Sequence, residues 1–254
     1  MTNLEELLKE FEPISLDEMG AVKLMNRVDT KYVVPREVLA SILKKAEKAY
    51  FVQETNGERM TTYDTLYYDT VDLDMYLRHH DRQLVRQKIR VRQYVESHLY
   101  FLEIKRKNNK GRTKKKRISL QTPSIEKPSD EIRDFIASKS RYSYDEISPK
   151  LRTTFRRITL VNKAKTERLT IDSDLLFQNL VTGLNKTYPN LVIIELKRNS
   201  NVPSPMLGIM IEERVHPFKI SKYCIGTALT NPHIKTNRFK YKIRKIEKII
   251  GINH

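Results

Sequence analysis

Apolar and charged side chains alternate residue by residue through the middle of the chain. Over residues 83–94, Leu84, Arg86, Lys88, Arg90, Arg92 and Tyr94 fall on one side, and Val85, Gln87, Ile89, Val91 and Gln93 on the other. A period of two predicts a strand with two distinct faces. The same alternation predicts strands over 99–107, 113–120 and 191–197, with Asn108, Asn109 and Gly111 turning the chain between the first two of these. Further strands are expected over 27–34 and 61–69, and a hairpin over 152–161 and 168–171 around residues 162–167. Helical spacing of Val38, Leu39, Ile42, Leu43 and Ala46 predicts a helix over 36–48. Shorter helices are expected over 4–9, 16–19, 72–79, 131–138, 203–212 and 221–229. Residues 122–130, polar and holding two prolines, read as a loop. The pattern predicts one α+β domain, mostly antiparallel, over 1–254, with its core at about 26–230 and a basic tail over 235–254.

Composition narrows the chemistry. Lys and Arg number 48 against 31 acids, a net charge of +17, which predicts a polyanionic partner: nucleic acid, an anionic membrane or phosphate. A single cysteine excludes a disulfide framework and argues against a thiolate zinc site. No run of 18 apolar residues suggests a membrane helix, and the acidic start does not look like a secretory signal, so the cytoplasm is the expected compartment. With 7 glycines and no GxGxxG or P-loop pattern, a nucleotide would not bind through a glycine-rich loop.

The charge is also placed unevenly. From Arg82 to Arg117 there are 14 Lys or Arg and two acids, Glu96 and Glu103. A solvent-facing sheet normally mixes the signs, because like charges opposite each other on paired strands destabilise it. Glu103 and Glu195 each precede a lysine on the same face by two residues, and an isolated carboxylate in a basic surface suits a divalent metal bridging to phosphate. A closed sheet with its charged faces inward would be too costly if dry, but tolerable if filled with water and a polyanion held by Arg forks and Lys charges. Aromatics are not interleaved along the basic strands as base-stacking would require, which argues against nucleic acid.

Short segments in order along the chain carry a family resemblance. They are Arg27-Val-Asp-Thr-Lys31-Tyr32, Tyr67-Tyr-Asp-Thr70, Lys88-Ile-Arg90-Val-Arg92, Phe101-Leu-Glu103-Ile-Lys105, Lys115-Lys-Arg117, Phe155-Arg-Arg157, Arg168-Leu-Thr-Ile-Asp172, Ile193-Ile-Glu195-Leu-Lys197 and Phe218-Lys219-Ile-Ser221-Lys222-Tyr223. From about Asn26 to Leu229 the chain resembles the VTC domain, the polyphosphate polymerase domain of the triphosphate tunnel, or CYTH-like, group. The resemblance implies a closed eight-stranded antiparallel β-barrel with helices packed outside. It implies catalytic roles for Arg90, Arg92, Lys222 and Glu195. Phosphate would be bound by Lys31, Lys88, Lys105, Lys115, Arg117, Arg157, Arg168, Lys219 and Ser221. Glu195, with Glu103, would hold Mn²⁺ or Mg²⁺. The implied reaction moves the γ-phosphoryl of ATP onto pyrophosphate or a polyphosphate end. The tunnel group often opens with Glu-x-Glu-x-Lys, whereas this chain has one acid in Arg27-Val-Asp29-Thr-Lys31, which favours the polymerase branch over a plain triphosphatase. A triphosphatase and a non-catalytic polyphosphate or nucleotide sensor are the alternatives.

Other candidates read more simply. His79 and His80 are adjacent and point apart, so a shared metal is not expected. Cys224 reads as a packed thiol. Tyr67 and Tyr68 should divide between the charged interior and the core. The basic tail reads as a solvated helix, with an anionic membrane as its other candidate partner.

Overall fold

The computed structural model describes residues 3–20 and 27–252; Asn26, where the resemblance begins, and the two ends of the chain lie outside them. In chain order the elements are α1 (Leu4–Lys9), β1 (Glu12–Ile14), α2 (Leu16–Gly20), β2 (Arg27–Pro35), α3 (Arg36–Ala46), β3 (Tyr50–Gln53), β4 (Thr61–Asp69) and α4 (Asp74–His80). Then follow β5 (Arg86–Tyr94), β6 (Leu99–Lys107), β7 (Thr113–Leu120), α5 (Asp130–Lys139), β8 (Ser148–Asn162), β9 (Glu167–Asn179), β10 (Asn185–Tyr188) and β11 (Leu191–Asn199). The last three are α6 (Pro205–Glu212), α7 (Lys222–Thr230) and α8 (Asn237–Ile249). No described helix is long and apolar enough to cross a membrane.

Eight strands pair antiparallel in the order β2-β11-β9-β8-β4-β5-β6-β7, with β1, β3 and β10 attached at the side. Strands β6 and β11 are five places apart in that order. In a flat sheet they would lie about 24 Å apart, yet Lys105 on β6 acts electrostatically on Glu195 of β11. The sheet is therefore strongly curled. The expected closed barrel is not what the hydrogen bonds show: among the described residues no ladder joins β7 to β2. Strand β7 has the character of an edge. Thr113, Lys114, Lys115, Lys116 and Arg117 are all exposed, and lysines along an edge disfavour further pairing.

Two apolar layers cover the outside of the curl. Val34, Ile158, Leu160, Leu169, Ile171 and Ile194 pack under α1, α3 and α6. Ile89, Val91, Leu102 and Ile104 pack under α5 and its flanking loops, with Tyr68 among them. The expectation that helices lie only outside needs one correction. Tyr63, Tyr67, Phe155 and Ile193, on the face that elsewhere carries charge, share a cluster with Tyr223, Cys224 and Ile225 of α7 and Phe239 and Ile246 of α8. Part of the concave face is apolar, and α7 fills it.

The seat of α7 is tight. A Cβ on Gly226 would lie 2.5 Å from Phe177 Cδ1 and 2.8 Å from Leu151 Cδ2, so only glycine lets the helix approach β8 and β9 this closely. Ser221 caps the helix by accepting from Cys224 N. We expect Gly226→Ala to cost about 1–3 kcal/mol through overpacking, outweighing the helix propensity gained. Thermal melting should register a drop of roughly 2–4 °C per kcal/mol; an unchanged or raised midpoint would show that Phe177 and Leu151 can yield. The expected packed thiol at Cys224 is observed: it is buried, and burial raises its pKa. His79 and His80 do not share a site. His80 pairs through Nδ1 with Asp81 at 2.8 Å and accepts through Nε2 from Arg238 N at 3.3 Å.

Candidate functional site

Strand register brings the basic residues onto one face. On β5, Arg86, Lys88 and Arg90 lie opposite Lys107, Lys105 and Glu103 of β6. Glu103 and Lys105 in turn face Arg117 and Lys115 of β7. Tyr67 and Thr65 of β4 oppose Arg90 and Arg92. On the other half of the curl, Arg157 of β8 faces Asp172 of β9. On β11, Glu195 and Lys197 face Thr170 and Arg168 of β9 and Lys31 and Asp29 of β2.

Three carboxylates organise these cations. Glu103, only 1% exposed, accepts from Arg90 Nε at 2.8 Å and from Lys115 Nζ at 2.9 Å, with Arg92 Nη1 at 4.0 Å. Burial opposes its ionisation, but Arg90, Arg92 and Lys115 outweigh burial and hold its pKa below the ordinary carboxylate range. Asp172, also buried, accepts a two-pronged pair from Arg157 at 2.6 and 2.8 Å and a bond from Lys222 Nζ of α7; against its burial, Arg157 and Lys222 lower its pKa. Glu195 is the most open of the three, its side chain 19% exposed. It meets Lys31 Nζ at 2.6 Å and Lys197 Nζ at 3.5 Å, and Lys197 and Lys31 overcome burial to keep it ionised.

The remaining cations are less neutralised. Lys88 donates to Ser221 Oγ at 2.7 Å, tying β5 to the cap of α7. Lys105 is open to water, yet the protein around it and the charges of Lys88, Arg90 and Lys31 lower its pKa against the opposing pull of Glu195. Lys222 is lowered by burial and by Arg157 even with Asp172 beside it. Arg117 shares the face with Glu103 but lays its guanidinium over the Phe101 ring, 4.3 Å from the centroid. Arg168 lies on the same face, opposite Lys197. Lys219 is exposed on the segment before α7, where its carbonyl accepts from Lys242 Nζ at 2.8 Å. Tyr67 reports the resulting field: burial alone would raise its pKa, but Arg90, Lys88, Arg92 and Lys222 lower it below the ordinary phenol value. Tyr68 faces the opposite core, so the two tyrosines divide as expected.

Sequence reasoning gave no role to Asp172 or Lys197, although both stood in quoted motifs. The signal for Asp172 was there. Counting outward from the turn at 162–167 sets Arg157 opposite Asp172, and the ion pair follows. Lys197 is half-buried among Glu195, Arg157 and Arg168; burial and the two arginines outweigh Glu195 and bring its pKa down to about 8. Its charge is complete well below pH 8 and is lost as pH rises through that value. A bound polyanion favours the charged form, so binding near pH 8 should take up protons. We expect affinity for tripolyphosphate to fall between pH 7 and 9. Calorimetry in buffers of different ionisation enthalpy should show net proton uptake at pH 8, and no uptake would remove Lys197 from the binding surface.

Among the described residues no group of three or more His, Cys, Asp or Glu is placed to hold a metal ion, so they offer no closed metal cage. A divalent ion that keeps its waters and takes the rest of its shell from phosphate needs only one or two carboxylates, and the donor set fits that case alone.

The family model of the VTC domain matches residues 26–231. No curated protein matches the chain. Among solved structures, the chain is similar to an adenylate cyclase candidate from Vibrio parahaemolyticus, at 9% identity and TM-score 0.48, over 80% of this chain and 99% of that one. HpAC1 from Hippeastrum, described by a dominant triphosphatase activity, shows 12% identity and TM-score 0.48 over 80% and 96%. The PH1819 protein from Pyrococcus horikoshii shows 13% identity and TM-score 0.42 over 78% and 93%. These likenesses carry no argument about chemistry.

Proposed function

This chain belongs to the VTC domain family of phosphate-handling enzymes, and from that premise we propose that it is a metal-dependent polyphosphate polymerase that uses ATP. The observation that carries this reading is the convergence of Lys and Arg from β2, β5, β6, β8, β11 and α7 on one curled face, in a field strong enough to lower the pKa of buried Tyr67. Such a face suits a chain of phosphates rather than a single one. Closure of the curl into a tunnel, with phosphate bridging the gap between β7 and β2, belongs to the same proposal, as does residence in the cytoplasm.

In the transfer, a terminal oxygen of pyrophosphate or polyphosphate forms a bond to the γ-phosphorus of ATP. The bond from that phosphorus to the β–γ bridging oxygen breaks, and ADP leaves with the electron pair. The nucleophile is already an oxyanion, so no base is needed, and catalysis rests on alignment and charge neutralisation. Arg90, Arg92 and Lys222 stabilise charge on the moving phosphoryl group. Lys31, Lys88, Lys105, Lys115, Arg117, Arg157, Arg168, Lys219 and Ser221 hold the flanking phosphates. Mn²⁺ or Mg²⁺ would supply further neutralisation of phosphate oxygens, with Glu195 as its protein ligand. The exposure of Glu195 supports that assignment over Glu103, whose two oxygens are committed to Arg90 and Lys115.

Purified protein given ATP, Mn²⁺ and a pyrophosphate primer should accumulate polyphosphate and ADP. Orthophosphate as the sole phosphate product would favour a hydrolase instead, and tight binding without turnover a sensor.

A further inference from the structure

The concave face of β5 and β6 changes character beside the turn at 95–98. On β5, Arg86, Lys88, Arg90 and Arg92 are followed by Tyr94; on β6, Phe101 precedes Glu103, Lys105 and Lys107. Register sets Tyr94 opposite Tyr63 of β4 and one diagonal step from Phe101, a step that aromatic rings can bridge. The three rings form a row. The centroids of Tyr63 and Tyr94 lie 4.8 Å apart, and those of Tyr94 and Phe101 lie 5.8 Å apart, edge to face. Tyr63 is buried and committed to the protein. Phe155 stacks on it at 5.4 Å, and the guanidinium groups of Arg92 and Arg157 lie 5.4 and 4.5 Å from its centroid. Tyr94 and Phe101 are only half-buried, beside the exposed residues His98 and Leu99, so this end of the row meets water.

Rings left half in water on a charged face gain less from burial than rings in a core. The contact that Phe101 already makes shows what it accepts. Arg117 lays its guanidinium over the ring, 4.3 Å from the centroid, from an exposed position on the edge strand β7 that leaves the side chain room to lift away. A nucleobase is stacked by the same two kinds of group, an aromatic face and a guanidinium plane. The spacing also suits a nucleotide. Phe101 lies four strand residues, about 13 Å, from Lys105, the β6 lysine that acts on Glu195. A triphosphate among the cations thus has room for its ribose and base toward the turn. A polynucleotide would need rings repeated along the basic strands; a single base needs one place.

We propose that Phe101 and Tyr94, with Arg117, form a stacking subsite for the base of a nucleoside triphosphate donor. The inference rests on the ATP reading above and deepens it by saying how the donor lies: base beside the turn at 95–98, γ-phosphoryl among Glu195, Lys105 and Arg90. The base settles on Phe101, Arg117 covers its outer face, and Tyr63 backs Tyr94. Stacking tolerates any base, so the subsite separates a nucleoside triphosphate from an inorganic phosphate chain and does not separate one base from another. An acceptor chain carries no base and gains nothing here. The subsite thereby keeps an inorganic chain from displacing the donor, although both present phosphates to the same cations.

The test measures binding without turnover, by calorimetry, for the non-hydrolysable imido analogue of ATP and for tripolyphosphate. Phe101→Ala should weaken the analogue about tenfold, within the worth of one base–aromatic stack. It should bind tripolyphosphate within twofold of wild type, which also reports an intact fold. Phe101→Trp keeps a ring in place and, in a chain with no tryptophan of its own, makes it the single fluorescent reporter. The analogue should bind this variant as tightly as wild type and quench its emission, whereas tripolyphosphate should not quench it. Unchanged analogue affinity in Phe101→Ala overturns the proposal, and so does an equal loss for both ligands or a tryptophan that responds alike to both. If wild type binds both ligands but Phe101→Ala is not selective, only this inference fails; if wild type binds neither, the polyphosphate reading fails with it.

Discussion

Replacing Lys222 with alanine is expected to lower kcat by at least about 10²–10³-fold, the usual cost of one preorganised charge donor, while the protein stays folded. Lys222 opens α7, beside the Ser221 cap and 4.3 Å from the Phe155 ring centroid. Burial and Arg157 lower its pKa even with Asp172 beside it, so its charge is held at a cost that a phosphate oxygen would offset. Asp172 is not stranded by the substitution, because it keeps both bonds from Arg157. Arg90→Ala should behave differently. It removes the closest partner of Glu103, a buried carboxylate, and breaking such a pair costs about 3–5 kcal/mol. Arg90→Ala should therefore lose both turnover and thermal stability, and Lys222→Ala turnover alone. ADP release and melting curves on the two variants would separate these outcomes, and a Lys222→Ala enzyme within threefold of wild-type kcat would remove Lys222 from the reaction centre.

That contrast was partly legible in the sequence. Alternation gave β6 and β7 the bounds they have, and a run rich in Thr and Tyr did the same for β4. Hairpin counting sets Arg90 opposite Glu103 from the short turn at 95–98, as it sets Arg157 opposite Asp172. It fails where the two faces exchange character. Strands β8 and β9 run well past the expected ends, since Leu151, Phe155, Leu175 and Phe177 pack on the concave side, and the register shifts between Thr154 and Arg156. Nothing local marks that change; it exists because α7, some fifty residues later, fills the face. The contact of Lys31 with Glu195 was illegible for a similar reason. It joins β2 to β11 across most of the chain, and no turn fixes that register. Short strands such as β1, β3 and β10 offer too few residues for any period to show.

The second large effect is expected at Glu195. Glu195→Gln keeps the shape and removes the charge, and we expect a kcat reduced by about 10²–10³-fold together with a flat response to added Mn²⁺. Stability should change little. Lys31 is 32% exposed along its side chain and can be solvated once unpaired. Lys197 loses the one interaction named above that opposes burial and its arginine neighbours, so its pKa, already about 8, should move lower still. At neutral pH the variant would then lack two features together: the proposed metal ligand and part of the charge on Lys197. Working at pH 6 restores the lysine charge but not the ligand. Recovered tripolyphosphate affinity at pH 6 without recovered Mn²⁺ response would separate the two contributions. Glu103→Gln provides the counter-case. It leaves the half-buried Arg90 without its carboxylate and should destabilise the fold by less than the roughly 3–5 kcal/mol of a fully buried pair, yet whatever remains folded should keep a wild-type dependence on Mn²⁺. A wild-type Mn²⁺ response in Glu195→Gln, with the response lost in Glu103→Gln, would reverse the assignment and make Glu103 the ligand, despite its commitment to Arg90 and Lys115.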